Sequence, residues 1–307
     1  MRKKAFFRFE ASPEIGAGHA IRSTVIADEL VDLGWDCKII TKALTYDFIP
    51  HLSKFGRIDP YQFNTNPQKS DLLVFDGYEY DAAYEGRFRA YTNKIMVIDD
   101  LANRPHECDI LLDQTYGRDA KDYQSLVPNH CRILAGSDYA LIRKEIRALR
   151  PQALEKRKAK QEIKRILVSL GGSDPKNFTL QALEMIKESG FKGAIDVVLG
   201  FASKNRESVE TYLATMANDS TIHVNPNLPQ LMLEADLAIG AAGSSVWERA
   251  CLGLPQVLIQ TADNQSLIFK NIELIVASME LLQPDNSFPD RVFTIQPKTS
   301  EILSYVV

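Results

Sequence analysis

The sequence contains few cysteines, no long apolar run and no marked excess of charge. Its four cysteines, Cys37, Cys108, Cys131 and Cys251, lack metal-ligand spacing and indicate reduced thiols in a cytoplasmic protein. No apolar run reaches the roughly 18 residues of a spanning helix, and the net charge of -4 gives no reason to expect a nucleic-acid or membrane partner. The Asp-x-Asp triplet that holds metal-bound nucleotide diphosphates is also missing, so we expect neither a metal nor a cofactor.

What is present describes an ordinary globular chain. The 307 residues are 45% apolar and 25% charged, which suits about two domains. The start, "MRKKAFFRFEAS", is basic with a short apolar piece and predicts a first strand rather than a signal peptide.

Short apolar strands alternate with amphipathic helices, a pattern typical of parallel α/β structure. Strands are expected at "AFFRF", "CKIIT", "DLLVFD", "KIMVIDD", "DILLDQ", "RILVSLGG", "AIDVVLG", "TIHVN", "ADLAIGAAG" and "PQVLIQ". The charged stretch "LIRKEIRALRPQALEKRKAKQEIKR" separates the two series as a connector. We therefore predict Rossmann-like domains at 1–140 and 163–307, joined by a connector at 141–162 and facing a central cleft, where ligands would bind.

The stretch "GAGHAIR" follows the first strand and opens a helix. Gly16 and Gly18 permit positive φ angles and close approach of a ligand, and the helix start suits a phosphate. The positive end of the helix dipole favours a neutral His19, which can act as a general base. A plain turn and a packing histidine are the simpler alternatives.

Two further junctions in the second half end in glycine and serine. "LVSLGGSDPKN" places Gly172 and Ser173 at a helix start, with Ser173 or Asp174 as the cap and Pro175 at the first helical position. In "GAAGSSVWERACLGLP", backbone amides and two hydroxyls converge at a helix start, which predicts an anion site at Gly243, Ser244 and Ser245.

Three residues near that second helix start have alternative roles. Glu248 either supports the helix dipole or accepts hydrogen bonds from a ribose diol. Arg249 is expected in a surface or inter-element ion pair, and Trp247 in packing.

Acidic and amide side chains follow other strands. Asn264 and Gln265 in "LIQTADNQ" are expected to project into the cleft, and Tyr78 in "VFDGYEY" follows the end of another strand. Asp99 and Asp100 are adjacent on an extended chain and point to opposite faces, so they make a poor metal site.

Taken together and in order, these motifs resemble the PseG/SpsG-type nucleotide-sugar hydrolases, relatives of the MurG-like GT-B glycosyltransferases. The matching stretches are "RFEAS…IGAGHAIR", "VIDDLANRPHECDILLDQ", "YALIR", "ILVSLGGSDPKN", "GAAGSSVWERACLGLP" and "ADNQ", which span about residues 8–265.

The resemblance implies a GT-B fold and an enzyme that releases UDP from a diacetamido-trideoxy hexose in pseudaminic acid synthesis, for surface polysaccharide or flagellin glycosylation. Water would attack the anomeric carbon with inversion, without a metal, and His19 would be the base. Gly16, Gly18, Arg22 and Tyr78 would bind substrate in the first half. The second half would hold UDP through Gly172, Ser173, Gly243, Ser244, Ser245, Glu248, Asn264 and Gln265. The segment "TIHVNPNLPQLMLEAD" would lie near the uracil.

Three departures from the family pattern are visible. Glu10 stands where an aspartate is usual, Ser23 where a cysteine is common, and "KNIELIVASMELL" lacks the expected glycine turn. The third bears on the walls of the sugar pocket and on the identity of the hexose.

Other questions stay open in the sequence. Asp100, Glu10 or another acid would orient His19, and the oligomeric state is undetermined. A GT-B glycosyltransferase using the same UDP-sugar site and a non-catalytic sugar-nucleotide-binding protein are the alternative functions.

Overall fold

The computed structural model describes residues 2–158, 162–171, 174–200, 203–261 and 297–307. It divides into two compact units. The first comprises Met1–Ile142 and Pro297–Val307, and the second comprises Arg143–Gln296.

The first unit is built on a seven-stranded parallel sheet with the order β3-β2-β1-β4-β5-β6-β7. Its strands are β1 (Lys4–Phe9), β2 (Asp36–Ile40), β3 (Gly56–Ile58), β4 (Ser70–Asp76), β5 (Thr92–Ile98), β6 (Ile110–Asp113) and β7 (Arg132–Ala135). The strand order reverses between β1 and β4, which lie side by side with Phe9 opposite Asp76. Ligands of doubly wound sheets bind at such a reversal, beyond the carboxyl ends of the strands.

The second unit repeats this plan with five parallel strands in the order β10-β9-β8-β11-β12. Its strands are β8 (Arg165–Ser169), β9 (Ala194–Leu199), β10 (Ser220–Val224), β11 (Leu237–Ala241) and β12 (Gln256–Ile259). Here the order reverses between β8 and β11, so the loops that follow these two strands occupy the equivalent place.

Ten α-helices lie in the described part of the chain. They are α1 (Gly18–Asp32), α2 (Ala43–Phe48), α3 (Pro60–Thr65), α4 (Ala82–Gly86), α5 (Lys144–Lys156), α6 (Phe178–Glu188), α7 (Arg206–Leu213), α8 (Leu228–Glu234), α9 (Ser245–Cys251) and α10 (Thr299–Val306). Short 3₁₀ turns occur at Pro50–Lys54, Arg89–Tyr91, Ala120–Asp122 and Ser137–Tyr139.

The cores follow from strand alternation. In β1, Phe7 and Phe9 join the cluster that packs under α1, whereas Phe6 joins the cluster on the opposite face of the sheet. A strand buried on both faces reads as an apolar run, which is why "AFFRF" could be recognised as a strand. The second unit has its own core beneath α6 and α7.

All ten strands expected from the sequence are present, and α1 ends just before Gly34, whose φ is +84°. Two short edge strands, β3 and β7, were not expected. The predicted α/β class with two doubly wound sheets is confirmed.

Two segments belong to other units than the expected domain boundaries assign them to. Helix α5, within the connector 141–162, packs on α8 and α9 as part of the second unit. The last residues, expected in the domain 163–307, pack on the first unit, where Ile302 and Val306 enter its core.

Candidate active site

The loop between β1 and α1 brings His19 to the point where the first sheet's strand order reverses. Gly16 has φ +85° and its amide donates to Ser12 O at 2.7 Å, which turns the chain into α1. Gly18 is the first helical residue, and a Cβ built on it or on Gly16 meets no atom within 4 Å. Both glycines therefore border open space, as a site for ligand approach requires.

His19 contacts the carboxylate at the end of the neighbouring strand. Its Nδ1 lies 2.6 Å from Asp76 Oδ1, and Arg22 Nη2 lies 3.2 Å from the same nitrogen. A guanidinium only donates hydrogen bonds, so the shorter contact to the carboxylate indicates that Nδ1 carries the hydrogen. This tautomer leaves the lone pair of His19 on Nε2.

Asp76 is completely buried beneath His19 and is held by three side chains. Arg22 donates to it from Nε and Nη2 at 2.6–3.0 Å, and Ser23 Oγ donates at 2.9 Å. Burial alone would raise the pKa of Asp76, but the charges of Arg22 and His19 outweigh it and hold that pKa well below its ordinary value. Asp76 is therefore a carboxylate at every pH at which a histidine is neutral.

Arg22 joins this cluster to a second acid. Its Nη1 donates to Asp100 Oδ2 at 2.7 Å, and its side chain is almost fully buried. Arg22 was expected to bind substrate; the structure places its guanidinium between two carboxylates beside His19. That substrate contact remains a prediction.

Tyr78 borders His19 on the exposed side. The two rings meet edge to face with centroids 5.0 Å apart, and Tyr78 is 36% exposed. Tyr78 Oη also donates to Asp100 Oδ2 at 3.4 Å. The structure thus gathers His19, Asp76, Arg22, Asp100 and Tyr78 in one cluster, which we call the His19 cluster.

The orienting acid left open by the sequence is Asp76. Glu10 instead pairs with Arg8 at 2.6 Å and accepts from Thr41 and Thr45. Within the described residues, Asp100 connects to His19 through Arg22 and Tyr78. Asp99 turns away from Asp100 to Arg104, at 2.8 Å, as their adjacency predicted.

In the second unit, the turn between β11 and α9 carries Gly243, Ser244 and Ser245, and the anion site expected there remains a prediction. The first amide of this turn that is hydrogen-bonded within the helix start is that of Val246, which donates to Gly243 O at 3.0 Å. The preceding amides of Ser244 and Ser245 therefore point out of the helix start. The two serines and Gly243 are partly exposed.

Arg249 lies under this turn and holds it in place. It is fully buried, donates from Nη2 to Ala241 O at 2.9 Å and from Nη1 to Ser245 Oγ at 3.0 Å, and also bonds Gln256. Burial lowers its pKa to about 10, partly offset by Glu248, so it stays charged at neutral pH. The expectation of a surface or inter-element ion pair for Arg249 was wrong, because backbone and side-chain oxygens of the turn satisfy it internally.

Gly240 makes room for that guanidinium. A Cβ at this position would lie 2.6 Å from Arg249 Nη1, closer than side-chain atoms pack. Trp247, 1% exposed, is a packing residue as expected.

Glu248 is buried and meets an arginine from the start of α5. Arg143 donates to its two carboxylate oxygens at 2.6 and 2.8 Å, a bidentate geometry that fixes the plane of the carboxylate. Arg143 belongs to the "YALIR" stretch, but no role was expected for it. The predicted ribose contact of Glu248 remains a prediction, now with a defined orientation.

The loop after β8 is described only in part. Gly171 has φ +97°, and Asp174 accepts hydrogen bonds from the amides of Phe178 and Thr179 at 2.8 and 2.9 Å. Helix α6 begins at Phe178, after Asn177 in the N-cap position, rather than at Pro175. The Asp174 carboxylate lies three residues before the N-cap and satisfies the first two amides of the helix. Gly172, Ser173, Asn264 and Gln265 lie outside the described residues, as does "KNIELIVASMELL".

Within the described residues, no group of three or more His, Cys, Asp or Glu side chains is arranged to hold a metal ion. No helix in that part of the chain is long and apolar enough to cross a membrane.

Comparison with solved structures defines the fold. MurG of Acinetobacter baumannii superposes with a TM-score of 0.61 over 93% of this chain and 88% of its own, at 13% identity. The chain therefore has the GT-B-like fold expected from its motifs.

Comparison of sequences points to particular relatives. The chain is 29% identical over 81% of its length, and 88% of the relative's, to the UDP-2,4-diacetamido-2,4,6-trideoxy-beta-L-altropyranose hydrolase of Campylobacter jejuni. It is 28% identical over 72% of its length to the spore coat polysaccharide biosynthesis protein SpsG of Bacillus subtilis, and spans 66% of that protein. No protein-family profile matches the sequence. The two relatives confirm the PseG/SpsG-type resemblance inferred from the motifs.

Proposed function

We propose that the chain is a nucleotide-sugar hydrolase that releases UDP from a diacetamido-trideoxy hexose by attack of water at the anomeric carbon. The observation that carries the proposal is the hydrogen bond between His19 Nδ1 and the buried Asp76, at the strand-order reversal of the first sheet. The similarity to a hydrolase of this substrate class supports the choice of substrate.

His19 acts as the general base in this proposal. With Nδ1–H directed to Asp76, Nε2 accepts a proton from water as the water attacks the sugar. The buried carboxylate then stabilises the imidazolium that forms, at a distance of 2.6 Å. Inversion at the anomeric carbon follows if the water and the UDP leaving group lie on opposite faces of the sugar.

The leaving group needs charge stabilisation more than a proton, because a diphosphate is already a stable anion. We assign this role to the turn of Gly243, Ser244 and Ser245. Its outward amides and hydroxyls donate hydrogen bonds, and the buried charge of Arg249 below the turn favours an anion there. Ser245 Oγ accepts from Arg249, so its own hydrogen is available to a phosphate oxygen. No step requires a metal.

The proposal extends to the setting of the reaction. The similarity to SpsG supports a role in polysaccharide biosynthesis. We place the enzyme in the cytoplasm and its product in a pseudaminic-acid-type pathway, with flagellin or another surface glycan as the acceptor of the final sugar.

The test is release of UDP from UDP-linked diacetamido-trideoxy hexoses in the absence of an acceptor, with ¹H NMR of the first-formed anomer. We expect stoichiometric UDP release and inverted configuration. Release only after addition of an acceptor sugar would identify a glycosyltransferase. UDP binding without turnover, unchanged in His19→Ala, would identify a binding protein.

A further inference from the structure

We propose that Asp100 is a positioning residue that, through Arg22, sets the affinity of His19 for the proton it takes from water. The inference rests on the proposed function for its catalytic meaning, but its physical content concerns the His19 cluster alone. Asp100 does not contact His19 in the structure. It acts by sharing the guanidinium that also neutralises Asp76.

The guanidinium of Arg22 donates hydrogen bonds to both acids. Nε and Nη2 face Asp76, while Nη1 faces Asp100 at 2.7 Å. Because one guanidinium serves two carboxylates, its charge does not cancel that of Asp76 completely. Asp100 offsets part of the positive charge of Arg22. Asp76 therefore keeps more of its negative charge uncompensated, and it stabilises a protonated His19 more strongly.

The charge count of the cluster leads to the same conclusion. With His19 neutral, two carboxylates face one guanidinium, so one negative charge is in surplus; protonation of His19 balances the cluster. Asp100 Oδ1 is buried and has no hydrogen-bond partner among the described residues. A proton on His19 would offset the surplus charge of the two carboxylates.

In the described part of the first unit, charged and titratable groups face His19 from several elements. Asp76 comes from β4, Arg22 from α1 itself, and Tyr78 and Asp100 from the segments after β4 and β5. Arg118 donates to the backbone carbonyl of Asp100 at 2.9 Å, but its charge is matched by Asp113 at 2.6 Å. Glu10 is matched by Arg8.

The experiment compares Asp100→Asn with wild type in the full-length protein. The ring C–H signals of the histidines are followed by NMR against pH, with His19→Gln to assign the signal of His19 among the five histidines. Asparagine retains the shape of Asp100 and an oxygen for Arg22. We expect the pH of half-protonation of His19 to fall by about one pH unit, a tenfold loss of proton affinity. The acidic limb of the kcat/KM profile should move to lower pH by the same amount.

Arg22→Gln removes the opposite charge and should shift both readouts to higher pH. Arg22→Lys keeps the charge and provides a measurement if the glutamine variant does not fold. It should shift both readouts far less than Asp100→Asn does. The control is Glu10→Gln, because Glu10 is also a carboxylate that follows a strand of this sheet. This variant should leave both readouts unchanged.

An unshifted or upward-shifted His19 titration in Asp100→Asn would overturn the proposal, as would an equal shift in Glu10→Gln. The titration needs no substrate. A protein that shifts as expected but releases no UDP would therefore refute the proposed function and not this inference.

Discussion

Asp76 Oδ1 lies 2.6 Å from His19 Nδ1 although 57 residues separate them in the chain. The contact exists because β4 pairs with β1, so the end of one strand faces the loop that follows the other. Replacement of His19 removes the proposed base and leaves the proposed UDP site of the second unit intact. We expect His19→Ala to lower kcat by about 10²–10⁴-fold with little change in UDP affinity. Coupled UDP-release kinetics and calorimetric titration with UDP measure the two quantities, and equal activity of the variant and wild type would contradict the assignment.

Asp76 also makes stability depend on pH. Its folded-state pKa lies well below the unfolded value of about 4, so its contribution is complete above that value and is lost as pH falls towards the folded pKa. In Asp76→Asn this pH dependence should be absent, and the free energy of unfolding at pH 7 should fall by about 2–4 kcal/mol because Arg22 loses its buried partner.

Urea unfolding between pH 3 and 7 measures this effect, with Trp247→Phe as background so that Trp35 of the first unit is the fluorescent probe. Asp59→Asn is the control, since Asp59 is an exposed N-cap that asparagine can replace. An acid-stability profile of Asp76→Asn as steep as that of wild type would show that Asp76 is not the group responsible.

Alanine substitutions at the two glycines before His19 should distinguish effects on stability from effects on substrate binding. Gly18→Ala meets open space at the first helical position and should leave the free energy of unfolding unchanged or raise it by up to about 1 kcal/mol. Gly16→Ala should lower it by about 1–2 kcal/mol, because φ is +85° there. If substrate approaches this backbone, KM should rise in Gly18→Ala despite its retained stability. An unchanged KM would place the substrate away from the loop.

Replacement of the buried Arg249 should lower the free energy of unfolding strongly. Arg249→Met leaves the Ala241 carbonyl and the Gln256 amide oxygen without their buried donor, and we expect a loss of about 3 kcal/mol. The control is Arg206→Met, whose guanidinium pairs with Glu210 on an exposed helix face and should change stability by less than about 0.5 kcal/mol. Similar losses in both variants, measured by urea unfolding, would argue against a supporting role for Arg249.

Glu248 should discriminate the sugar of the nucleotide if it binds the ribose. Glu248→Gln is expected to weaken UDP binding about tenfold and 2′-deoxy-UDP binding by less, because a charged acceptor for a hydroxyl is lost. Calorimetric titration with both nucleotides provides the comparison, and Glu210→Gln is the control. An equal loss for the two nucleotides would indicate that Glu248 acts through Arg143 alone.

The strands, the two sheets and the position of His19 follow from local patterns and could be predicted. The partner of His19 could not, because Glu10, Asp76 and Asp100 all stand at the carboxyl ends of strands, and the order of strands in the sheet is what places Asp76 beside it. Edge strands β3 and β7 are short and half-exposed, so their apolar signal is weak. The buried position of Arg249 could not be predicted, because a sequence pattern places an arginine at the surface by default. Its acceptors lie on a turn and on the next strand, and only the fold brings them to it.

The return of the chain to the first unit through α10 makes the second unit an insertion in the first. Lys3 Nζ donates to the carbonyl oxygen of Val307 at 2.9 Å, so residues 3 and 307 are neighbours. A short peptide joining them would permit new termini at Ile142 and Arg143, giving a circular permutant in which the second unit leads. Conversely, residues 1–142 expressed alone would expose the apolar surface that Ile302 and Val306 cover.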